Sequence, residues 1–145
     1  IKAISFTGST RVFKEIAKVA DPMFKKISLE LWGKNPNLIF ADCNYDKMLD
    51  TTVRSSFSNQ GQLCLCGSRI LIERSIYDKF KRDFVKRVKS LKVGPPERRN
   101  SDIGAVVSQA HYEKVLSYIK LAKKEGVKIR AGGKAIFPSG YKSGW

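Results

Sequence analysis

From Lys2 to Phe6 apolar and polar residues alternate with the period of a half-buried strand, and the small residues Thr7-Gly8-Ser9-Thr10 follow. Val12, Phe13, Ile16, Ala17 and Val19 then recur at helical spacing, with Ser9 or Thr10 as the N-cap and Asp21-Pro22 as the stop. Lys25 to Leu31 returns to period two, with Ile27, Leu29 and Leu31 on one face and Lys26, Ser28 and Glu30 on the other. Trp32 to Pro36 breaks that pattern, and Asn37 to Ala41 supplies another strand. A helix capped by Asn44 or Asp42 runs through Tyr45, Met48, Leu49, Val53 and Phe57. Polar residues 58–62 separate it from a strand at Ile70 to Ile72. A long amphipathic helix follows, with Ile76, Tyr77, Phe80, Phe84, Val85, Val88 and Leu91 on its apolar side, and it stops around Val93-Gly94-Pro95-Pro96. Glu97 to Asp102 is a charged loop, a further helix runs from about Ser108 to Lys124 with Gly126 to end it, and Val127 to Ala131 predicts a last strand before Gly132-Gly133. The order β-α-β-β-α-β-α-α-β predicts an α/β protein, and no internal repeat is found.

The 145 residues suffice for one ordinary domain with a core, and are few for separate cofactor and catalytic domains. Apolar residues are 42% and charged residues 28%, which predicts a folded chain. No uncharged stretch is apolar enough to cross a bilayer. The first residues lack the pattern of a secretory signal and do not start with methionine, so the chain reads as opening in mid-fold, and its Gly- and Ser-rich tail reads as a second truncation point.

The formal charge of +15 raises nucleic acid or another polyanion as a partner. Lysines spread along the outer faces of predicted helices account for most of it. That reads as a solvated basic face, and neither zinc-finger spacing nor an RNP-like strand is present. A catalytically inactive basic fragment with a binding or structural role is the alternative to an enzyme.

Cysteines stand at Cys43, Cys64 and Cys66, with a single histidine, His111. This is no disulfide framework and a poor zinc set, so reduced thiols in the cytoplasm and no metal are expected. Cys64 follows a turn containing Gly61, where backbone N–H groups and the amides of Asn59, Gln60 and Gln62 could surround an oxyanion. Cys66 shares its face if the strand has already begun there, so local chemistry does not choose between the two; Cys43 reads as a small buried hydrophobe. Glu30 is an acid in an apolar strand. Partial burial would tune it as a general base, and a solvent-facing carboxylate is the plainer reading. His111 reads as a surface or boundary residue.

Phe6-Thr7-Gly8-Ser9-Thr10, then Leu29-Glu30-Leu31-Trp32-Gly33-Lys34-Asn35-Pro36, then Phe57 to Arg69 with Gln60-Gly61-Gln62-Leu63-Cys64, occur in this order, with Glu30 and Cys64 34 residues apart. Together they resemble the aldehyde dehydrogenase superfamily. Lys92-Val93-Gly94, Asp102-Ile103-Gly104, Glu125-Gly126-Val127 and Gly132-Gly133 extend the resemblance over essentially the whole chain. Thr52 to Phe57 with Cys64-Leu65-Cys66 looks most like the branch that oxidises 2-aminomuconic semialdehyde.

The resemblance implies an incomplete three-layer α/β/α fold, with residues 1–31 the C-terminal portion of an NAD-binding domain and 32–145 the N-terminal portion of the catalytic domain. It implies Cys64 as nucleophile and Glu30 as general base. It places Gly8 and Ser9 beside the pyrophosphate of NAD, and Thr7 and Leu31 near the nicotinamide. An aldehyde or semialdehyde substrate and a homo-oligomeric full-length enzyme are implied, without membrane or nucleic-acid partners. The ribose-binding residues, the asparagine of the oxyanion site and the closing strand of the substrate tunnel fall outside the chain in this resemblance. Trp32 stands where the family motif has glycine, which predicts a displaced Glu30 loop or poor cofactor binding.

Overall fold

The computed structural model describes residues 1–31, 33–138 and 140–141. The expectations attached to Trp32 and to the last residues of the tail therefore lie outside the described residues. The chain divides into two compact units, Ile1–Gly33 and Lys34–Trp145.

In the first unit β1 (Ala3–Thr7) runs parallel to β2 (Lys26–Glu30), with Ile4 opposite Ile27, Phe6 opposite Leu29 and Thr7 opposite Glu30. Alternation explains the pair: Ile4, Phe6, Ile27 and Leu29 are half-buried and their neighbours exposed. Parallel strands need a crossover, supplied by α1 (Thr10–Ala20). Ser9 caps α1 by accepting from the Val12 N–H at 3.3 Å. A 3₁₀ turn at Asp21–Met23, with Pro22 in its first positions, ends the helix.

The second unit repeats the arrangement. β3 (Pro36–Ile39) pairs in parallel with β4 (Arg69–Ile72), Pro36 opposite Arg69 and Ile39 opposite Ile72. Proline is tolerated as the first residue of a strand because a missing N–H is not needed there. The crossover contains α2 (Tyr45–Phe57), capped by Asn44, which accepts from the Lys47 N–H at 3.1 Å. A 3₁₀ turn at Arg74–Ile76 leads into α3 (Tyr77–Ser90), and α4 (Gln109–Lys124) is capped by Ser108. The fold is thus of the α/β class, each unit holding a two-stranded parallel sheet that is an incomplete piece of an α/β/α arrangement.

One predicted element differs. Residues 127–131 form no strand. The Gly126 N–H donates to Lys123 and the Val127 N–H to Ala122, so the backbone here closes the end of α4, and Val127 is 56% exposed. Alternating residues make a strand only where a neighbouring strand accepts their hydrogen bonds, and none pairs with this segment among the described residues.

The interior of the second unit gathers Ile39, Thr52, Cys66 and Phe80. Phe80 stacks on Phe84 at 5.1 Å between ring centroids, and Phe84 meets Phe57 at 6.2 Å, joining α2 to α3. The Thr52 hydroxyl, buried among them, accepts from Asn37 Nδ2 at 3.4 Å. On the outer face the Tyr45 hydroxyl donates to Asp83 at 2.8 Å, Lys79 reaches the same carboxylate at 3.1 Å, and the Lys79 ammonium lies 3.2 Å from the centroid of the Tyr45 ring. Lys81 pairs with Asp78 and Arg87 with Asp50. Part of the basic face of α3 is therefore neutralised in place. No helix of the described residues is long and apolar enough to cross a membrane.

Replacing Phe80 by alanine removes a nearly inaccessible ring from this cluster. It is expected to lower the stability of the second unit by about 3–5 kcal/mol in urea unfolding. The Asp83 carboxyl is held below its usual range by the Tyr45 hydroxyl first and Lys79 second. A folded-state value lower than the unfolded one stabilises above the ordinary carboxylate range, and the gain is lost as pH falls through the folded value. The melting temperature of the wild type is thus expected to exceed that of D83N at neutral pH, with the gap closing on acidification below about pH 4. A gap independent of pH would show the carboxylate to be idle.

Candidate functional site

In the first unit the topology collects Thr7, Gly8, Ser9, Glu30 and Leu31 at the C-terminal edge of the parallel pair. Thr7 is the register partner of Glu30, and the Gly8 N–H donates to the Glu30 carbonyl at 3.1 Å, fixing the turn against the end of β2. A Cβ at position 8 would lie 2.6 Å from the tip of the Phe6 ring, so any larger residue there would have to displace that ring. Ser9 uses its hydroxyl for the cap. Thr10 and Arg11 open α1 and are exposed, and the first N–H groups of a helix have no intrahelical acceptor. An exposed glycine followed by helix-start amides is a donor set suited to a diphosphate.

Glu30 is exposed, and its carboxylate makes no hydrogen bond or ion pair among the described residues. The partial burial considered for it is not found within this unit. Period two accounts for that: the face that carries Leu29 is covered, and the alternate face is not. Leu31 is half-buried.

In the second unit the segment before Cys64 takes an unusual path. Asn59, Gln60 and Gly61 have φ of 49°, 58° and 71°, three successive residues in the left-handed region. Such a run reverses the chain abruptly after α2. The Gln62 N–H donates to the Asn59 carbonyl at 2.9 Å, Gln62 Oε1 accepts from the Val107 N–H at 3.2 Å, and Gln60 packs against Gly104. Gln62 Oε1 thus anchors this turn to Val107.

Cys64 and Cys66, inseparable by local chemistry, differ sharply in surroundings. β4 begins only at Arg69, so the two cysteines lie in a turn and not on one strand face; the Cys66 N–H donates to the Leu63 carbonyl at 3.1 Å. Cys64 is exposed, while Cys66 is 5% exposed with its Sγ 4.0 Å from the Ser58 carbonyl. The Cys64 N–H has no protein acceptor among the described residues, which leaves it available to an oxyanion formed at its own side chain. Cys43 is half-buried, less enclosed than expected, and His111 is half-buried near the start of α4. No group of metal-ligating side chains occurs among the described residues.

Asn35 also belongs to this turn. Its Nδ2 donates to the carbonyl of Cys64 and to that of Cys66, the latter at 3.2 Å. Around it the Arg69 N–H donates to the Asn35 carbonyl at 3.2 Å, and Arg69 Nε to the Lys34 carbonyl at 3.1 Å. In the sequence Asn35 sits inside a pattern break before a proline, where only its carboxamide hinted at a role.

The two thiols are expected to separate cleanly under alkylation. Iodoacetamide should modify Cys64 in the folded chain and reach Cys66 only on addition of denaturant, as read by peptide mass spectrometry. Equal rates for both in the native state would contradict the burial described above.

Residues 1–145 match the family model described as the aldehyde dehydrogenase family. The chain is 51% identical over 132 residues to 2-aminomuconic semialdehyde dehydrogenase of Bos taurus, a match covering 91% of this chain and 27% of that protein. It is 44% identical over 133 residues to 2-aminomuconic 6-semialdehyde dehydrogenase of a Pseudomonas species, again covering 92% and 27%. Among solved structures it is similar to betaine aldehyde dehydrogenase of Staphylococcus aureus in complex with NAD+. That match has a TM-score of 0.90 and 39% identity over 96% of this chain and 28% of that one. The chain thus spans little more than a quarter of the length of these relatives. With the match running across both units and through the Gly8, Glu30 and Cys64 segments, the chain belongs to the aldehyde dehydrogenase family.

Proposed function

We propose that the protein carrying this chain oxidises an aldehyde or semialdehyde to the carboxylate with NAD, using Cys64 as nucleophile and Glu30 as general base. The observation that carries the reading is the exposed Cys64 thiol on a turn held from both sides, with its own N–H unengaged. The family membership and the relatives' activities, as their names state them, support it. In this reading residues 1–31 are the end of an NAD-binding domain and 32–145 the start of the catalytic domain.

The donor set at the start of α1 fits the cofactor's diphosphate. Gly8, Ser9 and the first amides of α1 would hold it, with Thr7 and Leu31 toward the nicotinamide. When bound, NAD supplies the hydride acceptor that makes the reaction an oxidation. The chain's own residues do the rest. The Cys64 thiolate attacks the carbonyl carbon, forming a C–S bond and placing negative charge on the oxygen, which the Cys64 N–H stabilises. After loss of hydride the acyl group is a thioester on Cys64. The Glu30 carboxylate takes a proton from the water that attacks it, and the C–S bond breaks to return the thiolate and release the acid.

The similarity to 2-aminomuconic semialdehyde dehydrogenases supports a semialdehyde that carries a carboxylate, for which the chain's basic charge is favourable. A cytoplasmic, homo-oligomeric enzyme completes the proposal.

In the full-length protein, NADH formation from a semialdehyde, followed by absorbance, is expected to vanish in C64S and to persist in C66S. E30Q is expected to slow turnover by about 10²- to 10⁴-fold. A C64S protein as fast as wild type would end the proposal.

A further inference from the structure

Asn35 is not accounted for by the chemistry above, and its geometry gives it a task. A single side-chain NH₂ group has two N–H bonds, and this one serves two carbonyls, those of Cys64 and Cys66. We infer that Asn35 is a positioning residue for the nucleophile: its carboxamide grips the turn immediately after Cys64 and thereby holds the backbone from which the thiol and the Cys64 N–H project. This rests on the reading of Cys64 as nucleophile.

The argument is one of backbone geometry. The direction of a residue's carbonyl sets its ψ, and with ψ and φ fixed the Cα–Cβ bond and the N–H are fixed too. Upstream, the chain is held by Gln62, which accepts from Val107, and by the left-handed run at residues 59–61. Downstream, the Gly67 N–H donates to the Ser55 carbonyl and the Ser56 hydroxyl to the Gly67 carbonyl, each at 3.2 Å. Between these anchors the Cys64 carbonyl has Asn35 as its hydrogen-bond partner. Without that donor an exposed residue would be free to rotate its peptide plane toward water.

Asn35 is itself well placed to act as a fixed post. Its carbonyl accepts from Arg69, the first residue of β4, and its successor Pro36 is the first residue of β3. The carboxamide is thus carried on the strand pair and not on a mobile loop. Misplacement of a reacting atom by about 1 Å can cost 10²-fold in rate, so a donor that merely holds a turn can weigh heavily on the chemical step.

The test uses the full-length protein with N35A, N35D and N35S, against C64S as reference. N35D keeps the shape and removes both N–H donors; N35S keeps one donor. Under the proposal kcat/KM for the aldehyde falls about 10- to 100-fold in N35A and N35D and less in N35S, while the Kd for NAD stays within twofold. Cys64 keeps a wild-type rate of iodoacetamide alkylation, because the thiol stays exposed, and Cys66 stays protected. A kcat/KM within twofold of wild type in N35A and N35D overturns the positioning role. So does Cys66 becoming as reactive as Cys64 in the variants, which would make Asn35 a residue that only keeps the turn folded. Retention of full activity in C64S is a separate result, which removes the nucleophile reading and this inference with it.

Discussion

Parallel pairing is the constraint on which the rest of the structure depends. Two parallel strands cannot be joined by a tight turn, so the chain must leave one end of the first strand and return to the opposite end of its layer before the second begins. α1 makes that journey between β1 and β2, and α2 makes it between β3 and β4. Like ends of paired strands then lie side by side, whatever their separation in sequence. In the first unit this brings the Thr7-Gly8-Ser9 turn against Glu30 and Leu31. In the second it brings Asn35, just before β3, against the cysteine turn that leads into β4.

The cysteine turn shows how strain and anchoring offset each other. Two non-glycine residues and Gly61 in the left-handed region carry a cost of roughly 1–2 kcal/mol for each residue with a Cβ. Conformations of that kind persist where surrounding contacts over-determine them. Here the contacts are specific: Gln62 to Val107, Asn35 to two carbonyls, and serines at the end of α2 to Gly67. Cys66 takes part as a buried filler, and its neighbour two positions back is left in solvent.

Most of the elements were legible because their residues repeat at the period their structure requires. Ile4, Phe6, Ile27 and Leu29 predict covered faces, and the cap candidates that include Ser9 and Asn44 mark two helix starts. Pairing was not legible in the same way. A period tells which face of a strand is covered and says nothing about which strand lies alongside, which is why residues 127–131 read as a strand and are none. The difference between Cys64 and Cys66 was hidden for a related reason: it depends on where β4 begins, and strand ends are set by partners. The donor role of Asn35 was hidden because it needs the register of Pro36 with Arg69. The candidate roles of Glu30 and Cys64 came through the combined motifs, since each residue alone is a common exposed or buried side chain.

Exposure sets the same conflict for the two candidate side chains, Cys64 and Glu30. A thiol reacts only where a reagent can reach it, and the exposed Cys64 and the buried Cys66 stand on opposite sides of that condition. Cys64 gains that availability by standing on an exposed turn, and an exposed turn is the place where backbone freedom is greatest. The hydrogen bonds on either side of it resolve the conflict by fixing the backbone and leaving the sulfur in water. Glu30 meets the same conflict differently. It stands at the end of a strand whose direction is set by pairing, with the Gly8 N–H holding its carbonyl, so the carboxylate is free while its Cα is not. In both units, then, the main-chain carbonyls of Cys64 and Glu30 accept the restraining hydrogen bonds, and their side chains stay exposed.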